Sequence, residues 1–433
     1  MSVTIPKRIT SALLGSLAAG VVPRIGLEYI AVGRNTEIKA LLHDLENVAA
    51  GGAAFRIIVG RYGSGKSFLL QLLRNHAMDR GFVVADCDLS PERRLTGANR
   101  QGVATYRELM KNIATKTRPD GGALAAILER WIASIQMQVV QSGELKQTDP
   151  AFLDTVEQEI MAVIHQMEGL VHGFDFASVL TSYWRGHRLG DDALKDAALR
   201  WLRGEFTTKT EARRALGVRV IIDDDSWYDY IKLMAQLVVG IGYQGLIVFL
   251  DEMVNLYKIS HTQARQSNYE KYLTMFNDTM QGKASHLGII SAGTPQFVED
   301  PRRGLFSYEA LRSRLAESRF LKSGWQDTSG PILRLQNLSY EELFVLLTRL
   351  VDVHAAHYGE ALPLCDADLT LFLQEATNRL GAEELLTPRE IIRDFITLLN
   401  LMRQHPGIQF AQLLQDLEFH SDENKDDLAE FVL

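Results

Sequence analysis

IIVGRYGSGKSFLLQLL, residues 57–73, runs from an apolar segment through a glycine-rich turn into a second apolar segment. Its central residues 60–67 match the pattern G-x-x-x-x-G-K-[ST] at every fixed position. Glycine permits a turn tight enough for consecutive backbone N–H groups to converge on one anion, and a helix beginning near Gly65 adds the positive end of its dipole. The stretch therefore predicts a strand, a phosphate-binding loop and a helix, which together indicate an α/β fold.

Two side chains of this loop extend the prediction from phosphate to a nucleotide and its metal. Lys66 is expected to reach the β- and γ-phosphates as a point charge, and the Ser67 hydroxyl is expected to ligate Mg²⁺. The alternative is a glycine turn that binds nothing. Because all fixed positions and both flanking segments fit, the sequence favours a bound nucleoside triphosphate with Mg²⁺.

The composition fits a globular protein without a disulfide framework. The chain has 433 residues, of which 46% are hydrophobic, and this length allows about two or three domains. Its two cysteines, Cys87 and Cys365, are too few for a disulfide scaffold, so a reducing cytoplasm is the expected compartment. The formal net charge of −8 gives no support to general nucleic-acid binding and leaves only a local basic patch open.

The N-terminal region superficially resembles a secretory signal, because a basic pair precedes the apolar residues 9–22. Polar residues and a glycine interrupt that run, and its apolar residues repeat at helical intervals. These are Ile9, Leu13, Leu17 and Val21. We therefore predict a short amphipathic helix, and no segment of the chain reaches the roughly 18 apolar residues of a membrane span.

A phosphate loop of this kind works with an acidic residue at the end of another buried strand. Two segments end in acidic residues, GLIVFLDE at 245–252 and VRVIIDDD at 218–225. An arginine interrupts the second segment, so the first reads better as a buried parallel strand. In it Asp251 is expected to position Mg²⁺ and Glu252 to polarise the attacking water, which implies hydrolysis. The acidic run of the second segment is expected to cap a helix that begins near Trp227.

A further strand is predicted in HLGIISAGTPQF, residues 286–297, after one helix of about 25 residues. This is a strand–helix–strand step that brings Ser291 or Thr294 to the carboxyl edge of the sheet, where open α/β sheets bind ligands. Either residue could sense the γ-phosphate or orient water, and Thr294 is taken as the catalytic candidate. The alternative is that residues 293–295 simply form a turn.

An arginine-bearing segment, YEALRSRLAESRF at 308–320, precedes a short strand-like segment at 332–335. An arginine there either stays solvated on a helix face or reaches the γ-phosphate bound by a neighbouring subunit. We expect Arg314 to be such a finger, with Arg312 and Arg319 as alternatives. A finger that acts between subunits implies a homo-oligomer.

The rest of the chain reads as helices whose starting points are well specified. Ser339 with Glu342 forms one capping box, and Thr387 with Glu390 forms another that has proline at the first helical position.

Arg389 lies in the first turn of the second of these helices, where the helix dipole disfavours a cation. A nucleotide phosphate is therefore an expected partner, and the alternative is an ordinary surface arginine. From residue 388 onward the pattern fits either a helical lid or a winged-helix element.

The order of these elements resembles that of the AAA+ ATPases, in the branch that includes the origin-recognition and Cdc6-type initiators. The resemblance also rests on VGRNTEI at 32–38. It implies an AAA+ P-loop NTPase core, a parallel sheet flanked by helices, with ATP as the nucleotide and the VGR segment against the adenine. The residues expected to line the nucleotide are Val32, Gly33, Arg34, Gly60, Gly63, Ser64, Gly65, Lys66, Ser67, Phe68 and Arg389.

More closely, segments along most of the chain are similar to the ATP-binding proteins of bacterial BREX and related phage-defence loci, the BrxD-like group. Among them are EARRALGV at 211–218, GYQGLIVFLDEMVNLYKIS at 242–260, NYEKYLTMFND at 268–278 and LTPREIIRDFITLLN at 386–400. The resemblance implies an ATP-dependent role in anti-phage defence beside DNA-acting protein partners.

The chain departs from a minimal AAA+ core between the phosphate loop and Asp251, where it is far longer than one strand and helix require. We therefore predict four segments. They are 1–118 with the first part of the core, 119–217 as a helical insertion, 218–336 as the second part of the core, and 337–433 as the helical lid, with the winged-helix alternative.

Apolar residues of the insertion repeat every three to four positions, as Phe152, Val156, Ile160 and Val163 do. Packing within a helical core is the expected reason, and a partner-docking surface is the alternative. His354 and His357 have a spacing that metal pairs use, but no third ligand stands nearby, so we expect them on a helix surface.

Two functions are compatible with these patterns. The first is an oligomeric ATPase that remodels a DNA-associated defence complex, which depends on Glu252 and on Arg314 acting between subunits. The second is a nucleotide-dependent switch that docks a protein partner when ATP is bound and hydrolyses ATP only slowly.

Overall fold

The computed structural model describes residues 5–142, 148–315, 327–380 and 387–416. Its strands within these ranges are β1 (Ala53–Val59), β2 (Val83–Asp88), β3 (Leu246–Asp251), β4 (Leu287–Gly293) and β5 (Ile332–Arg334). Short 3₁₀ turns occur at Leu27–Tyr29 and Leu305–Ser307.

Helices make up most of the remainder, and several begin where the sequence places a cap. Their bounds are α1 (Lys7–Ala18), α2 (Asn35–Ala49), α3 (Lys66–Asp79), α4 (Gln101–Lys111), α5 (Leu124–Gln141), α6 (Phe152–Glu168), α7 (Gly173–Leu189), α8 (Asp192–Leu202), α9 (Lys209–Leu216), α10 (Trp227–Gly240), α11 (Val254–Tyr257), α12 (Thr262–Met280), α13 (Pro295–Glu299), α14 (Glu309–Leu315), α15 (Tyr340–Tyr358), α16 (Asp366–Leu380), α17 (Pro388–Gln404) and α18 (Phe410–Asp416).

The strands form a sheet in the order β2-β3-β4-β1-β5. The pairs β2–β3, β3–β4 and β4–β1 are parallel, and Val59 lies opposite Gly293 while Asp88 lies opposite Asp251. Because parallel strands end at the same edge, the last residues of these four strands lie along one edge of the sheet. The structure is therefore α/β with a parallel sheet flanked by helices.

The apolar runs 245–252 and 286–297 become β3 and β4, as predicted. Every residue of β4 is buried, and only the last residue of β3 is not. Residues 218–225 contain no strand. Helix α10 begins at Trp227, as expected, but its N-cap is Ser226 and makes no side-chain cap bond, so the expected acidic cap is wrong. Asp223 accepts the Ser226 N–H (3.0 Å), and Asp224 accepts the N–H groups of Gly97 and Gly102 near the start of α4.

The chain divides into two compact units, and the first is called here the sheet unit. It comprises residues Lys39–Val59 and Leu73–Leu333. One apolar core runs through it and includes residues of the sheet as well as of the helices α5 to α10. Phe152, Val156 and Ile160 are buried in this core and Val163 packs against it, which confirms core packing for these positions.

The second unit, called here the helical unit, comprises residues up to Ile38, Gly60–Leu72 and the chain from Arg334 onward. Its separate apolar core joins α1 to α15 and α17. Leu13 and Leu17 are buried there as the amphipathic pattern predicts. The predicted helix is too long at one point, because α1 ends at Ala18 and Val21 lies beyond it, 60% exposed.

Both segments predicted as capping boxes begin helices of the helical unit, and the full reciprocal box forms at Ser339. Ser339 Oγ accepts the Glu342 N–H, and the Glu342 carboxylate accepts the Ser339 N–H (2.8 Å) at the start of α15. Thr387 Oγ1 accepts the Glu390 N–H at α17, which has proline at its first position. Within residues 337–416, the parts that the structure describes are helices and loops without a strand.

The two cysteines occupy very different surroundings. Cys87 is buried in β2, and Cys365 is exposed before α16, where its backbone N–H donates to Asp368 (2.9 Å). Among the helices that the structure describes, none is long and apolar enough to cross a membrane.

Candidate functional site

The glycine-rich turn has the backbone conformation that its sequence predicts. Gly63 and Gly65 have φ of 71° and 95°, in the left-handed region that side chains rarely adopt. An added Cβ at Gly65 would meet no atom within 4 Å, so backbone conformation rather than space requires glycine there. Helix α3 begins at the next residue, which leaves its first N–H groups beside the turn.

Gly60 and Gly63 also let other side chains of the helical unit approach this turn closely. A Cβ at Gly60 would collide with Ser64 Oγ and lie 3.4 Å from the Leu335 side chain. A Cβ at Gly63 would lie 2.6 Å from the Thr387 side chain, which is the N-cap of α17. The turn is therefore packed between the residue after β5 and the start of α17.

The polar groups of the turn fit an anion. The Lys66 ammonium donates to the carbonyls of Gly60 (2.9 Å) and Arg61 (2.8 Å) and lies 5.6 Å from the Tyr62 ring centroid. Ser64 Oγ is buried and has no hydrogen-bond partner in the part of the chain that the structure describes. A buried hydroxyl without a partner costs free energy, so a ligand oxygen here would be stabilising. The donor set accordingly suits phosphate oxygens.

The VGR segment, residues 32–34, lies in the same unit. Val32 is partly buried against the apolar core of the helical unit, and so is Phe68 of α3. Gly33 has φ of 71°, and a Cβ there would lie 2.6 Å from the Glu342 carboxyl carbon. The segment is thus held closely against the start of α15.

Arg34 is buried, and its guanidinium bonds to two backbone carbonyls. Nη2 donates to Ser64 O of the phosphate loop (3.1 Å), and Nη1 donates to Gln336 O (2.7 Å). Glu37 Oε1 lies 3.7 Å from Nη1. Burial lowers the pKa of Arg34, although Glu37 and Glu342 oppose that shift. The family resemblance implies that Arg34 lies near the adenine, and the structure shows that its guanidinium also supports the turn.

Arg389 lies at the second position of α17 and is exposed. The N-cap of that helix, Thr387, contacts the turn at Gly63, so the first turn of α17 begins beside the phosphate loop. This neighbourhood is compatible with the predicted phosphate contact.

In the sheet unit, carboxylates gather at the carboxyl edge of the sheet. Asp251 ends β3 opposite Asp88, which ends β2, and the Leu89 N–H donates to Asp251 O (3.0 Å). Burial and the negative charges of Asp251, Asp86 and Glu252 raise the pKa of Asp88 to about 6. Sequence reasoning missed Asp88, although β2 also ends an apolar run with an aspartate, the signal used to find Asp251.

Glu252 has a backbone conformation that is uncommon for a residue with a side chain. Its φ is 55°, and its N–H donates to Asp251 Oδ1 (2.7 Å). The next N–H, of Met253, donates to Ala292 O at the end of β4 (3.1 Å). A left-handed conformation costs about 1–2 kcal/mol outside glycine, and such residues concentrate at functional sites.

The two sensor candidates have different surroundings. Ser291 is fully buried, and its hydroxyl lies 2.5 Å from Tyr272 OH and donates to Arg56 O (3.0 Å). Thr294 lies beyond the end of β4, and its Oγ1 accepts the Phe297 N–H (3.3 Å) as the N-cap of α13. Core hydrogen bonds thus engage Ser291, while Thr294 lies where the strand leaves the sheet.

The arginine candidates lie on α14. Leu311 and Leu315 are buried, whereas Arg312 and Arg314 point outward and are exposed. Arg314 Nη1 donates to Ala310 O of its own helix (2.8 Å). Arg319 lies outside the described residues.

The histidine pair has no feature of a metal site. His354 is buried, not on the helix surface as expected, and lies 3.4 Å from Asn400 Oδ1, while His357 Nδ1 lies 2.9 Å from Thr10 Oγ1. Burial lowers the pKa of both imidazoles. No group of three or more His, Cys, Asp or Glu side chains able to hold a metal occurs in the described parts of the chain.

A parallel α/β sheet and a glycine-rich turn that opens a helix are typical of nucleotide-binding proteins. The chain belongs to the family of BREX system ATP-binding proteins BrxC/D, whose model matches residues 5–418. This confirms the resemblance predicted from the sequence and supports an ATP-binding role in phage defence. No curated protein matches the chain.

Proposed function

We propose that the chain is an AAA+ ATPase that binds ATP with Mg²⁺, hydrolyses it as a homo-oligomer and serves a cytoplasmic anti-phage complex with DNA-associated partners. The observation that carries the proposal is the turn at residues 60–67, with two left-handed glycines before a helix N-terminus and a buried Ser64 hydroxyl without a described partner. Family membership supports ATP as the ligand.

In this proposal the loop binds the triphosphate through its backbone N–H groups. Lys66 would exchange its bonds to the neutral Gly60 and Arg61 carbonyls for bonds to anionic phosphate oxygens, which are stronger because both partners are then charged. Val32 and Gly33 would lie near the base, Phe68 would support the start of α3, and Arg389 would reach a phosphate from α17.

Ser67 and Asp251 would hold Mg²⁺, and the carboxylates at the ends of β2 and β3 supply the negative field that a cation needs. Bound there, the metal would neutralise charge that develops on the phosphate oxygens.

Glu252 would accept the proton of the attacking water, and Thr294 would orient that water or the γ-phosphate. The hydrogen bond from the Glu252 N–H to Asp251 Oδ1 supports these roles, because it ties the orientation of the base to the metal-binding residue. Arg314, exposed on α14, would act on the nucleotide of a neighbouring copy.

The proposed domain layout is the predicted one, with core parts at 1–118 and 218–336, a helical insertion at 119–217 and a helical lid at 337–433. The helical content of the second and fourth segments supports it.

The test is ATP turnover as a function of protein concentration, with and without double-stranded DNA, for the natural chain and for Arg314→Ala. We expect turnover per subunit to rise as copies assemble and to collapse in the variant. Arg213→Ala, which removes an exposed arginine of α9 that has no expected role at the nucleotide, is the control. Turnover that stays flat across the assembly range would overturn the intersubunit finger, and tight ATP binding with negligible turnover would favour the switch.

A further inference from the structure

The peptide between Ser64 and Gly65 lies at the centre of the phosphate loop. A trans peptide is planar, so its C=O and its N–H point in opposite directions. The Ser64 C=O accepts a hydrogen bond from the buried Arg34 guanidinium (3.1 Å). The Gly65 N–H must therefore point away from Arg34.

The space beside the Cα of Gly65, at the other end of this peptide, is open. Gly65 has φ of 95°, and an added Cβ would meet no atom within 4 Å. Glycine allows such a peptide to rotate at little cost. The bond from Arg34 is thus a restraint on the direction in which the Gly65 N–H points.

Arg34 is itself held firmly. Its other nitrogen donates to Gln336 O (2.7 Å), Glu37 lies 3.7 Å away, and the side chain is 7% exposed. Gln336 follows Leu335, whose side chain would lie 3.4 Å from a Cβ at Gly60. One guanidinium therefore joins the loop to the segment that leads into the Ser339 cap of α15.

We propose that Arg34 is a positioning residue for phosphate binding, which aims the Gly65 N–H at the phosphate and ties that geometry to residues 335–339. The inference rests on the proposed nucleotide binding. It assigns to Arg34 an indirect role, in which Arg34 acts on the phosphate by orienting the peptide between Ser64 and Gly65. A cation on the carbonyl also polarises the peptide and makes its N–H a stronger donor.

The experiment measures the affinity of the full chain for ATP and for inorganic triphosphate by titration calorimetry. In Arg34→Met we expect both affinities to fall by a similar factor, about 10- to 100-fold, because the affected contact is to phosphate. A residue that contacts only adenine would change ATP binding and leave triphosphate binding intact, which would overturn the inference. Unchanged affinity for both ligands would also overturn it.

Arg349→Met is the matched control. Arg349 Nη1 donates to Ala31 O (2.6 Å), so this arginine holds the same N-terminal segment without a hydrogen bond to the loop. We expect its two affinities to stay within about 3-fold of the natural chain, since only a support of the segment is lost. Equal losses of affinity in Arg34→Met and Arg349→Met would overturn the inference, because they would show that both arginines only support the N-terminal segment.

A second pair of measurements keeps the test decisive if Arg34→Met fails to fold. Arg34→Lys retains the charge but lacks the fork that spans two carbonyls, so we expect a smaller loss of affinity than in Arg34→Met, about 3- to 10-fold for both ligands. Natural affinity in this variant would overturn the inference.

Hydrogen exchange of residues 335–343 should slow on adding triphosphate in the natural chain and stay unchanged in the lysine variant. If triphosphate still slowed hydrogen exchange in Arg34→Lys, the proposed link between the loop and residues 335–339 would be contradicted. A natural chain that binds neither ligand would instead overturn the proposed function.

Discussion

The phosphate loop of the helical unit and the acidic edge of the sheet unit handle charge in opposite ways. In the loop, Lys66 and Arg34 donate to backbone carbonyls, so each cation is accommodated within the fold. At the edge, Asp88 and Asp251 end neighbouring strands, and burial together with the nearby negative charges raises the pKa of Asp88. The loop thus has its cations already positioned by hydrogen bonds. At the edge, by contrast, the carboxylates repel one another, and a bound cation would lower that repulsion.

The largest expected effect concerns Glu252, the residue that follows this edge. Glu252→Gln should lower ATP turnover about 100- to 10,000-fold, because a general base is lost. Glu252→Gly should lower turnover to the same extent. Its free energy of unfolding should nevertheless be about 1 kcal/mol higher than that of Glu252→Gln, since glycine tolerates φ of 55°. Turnover assays with urea denaturation measure both, with Glu299→Gln as the control. Turnover that persists in Glu252→Gln would show that Glu252 is not the general base.

The next effect tests the loop. Lys66→Met should weaken ATP binding about 100-fold, because contacts from a charged donor to phosphate are lost. The melting temperature of Lys66→Met without nucleotide should change little, since the Gly60 and Arg61 carbonyls that accept from Lys66 belong to the same loop. Titration calorimetry and thermal unfolding check the two halves, and Lys116→Met, a surface lysine, is the control. A large loss of stability without nucleotide would show that the loop is not preorganised as described.

A smaller effect concerns the repulsion at the edge. Because the folded pKa of Asp88 is raised to about 6, the folded state binds more protons than the unfolded state between roughly pH 4 and 6. The stability that Asp88 gains from this proton is fully present below about pH 4 and is lost as the pH rises through 6. Asp88→Asn should therefore stabilise the metal-free protein at pH 8 by roughly 1 kcal/mol, a value reduced by solvent screening. Urea denaturation in EDTA at pH 8 and pH 5 would show a gain that shrinks on acidification. An equal gain at both pH values would show that the cost of ionising the buried Asp88 is not the cause.

The smallest effect has the opposite sign and belongs to the helical unit. Burial lowers the folded pKa of His354, so the unfolded state binds more protons once the pH falls below about 6.5. The free energy of unfolding should fall as the pH drops from 7.5 to 5.5, and His354→Gln should remove this part of the pH dependence. Urea denaturation between pH 5.5 and 7.5 measures it. His43, which is 80% exposed, provides the control His43→Gln, and an identical slope in both variants would contradict the assignment.

Much of the fold was predictable because it depends on local patterns. Apolar runs predicted β3 and β4, and side-chain spacing predicted the caps at Ser339 and Thr387. The loop conformation followed from its glycines. The pattern failed where a helix ended sooner than its apolar repeat, as at Val21, since burial rather than periodicity decides the last turn.

The site was less predictable, because its remaining features depend on tertiary neighbours. The partners of Arg34 lie 30 and 302 residues away along the chain. The pairing of Asp88 with Asp251 is a matter of strand register, and the left-handed φ of Glu252 is held by the Asp251 side chain and by Ala292. The burial of His354 needed the packing of α15 against α17.

The contrast between the two cysteines offers a practical route to observing the helical unit. Burial raises the pKa of the Cys87 thiol to about 12, whereas Cys365 is exposed. Since the thiolate is the reactive form, a maleimide dye at neutral pH should attach at Cys365 and leave Cys87 unmodified. The natural chain therefore already carries a single-site fluorescent reporter of α16, and nucleotide-dependent changes could be followed without engineering a cysteine.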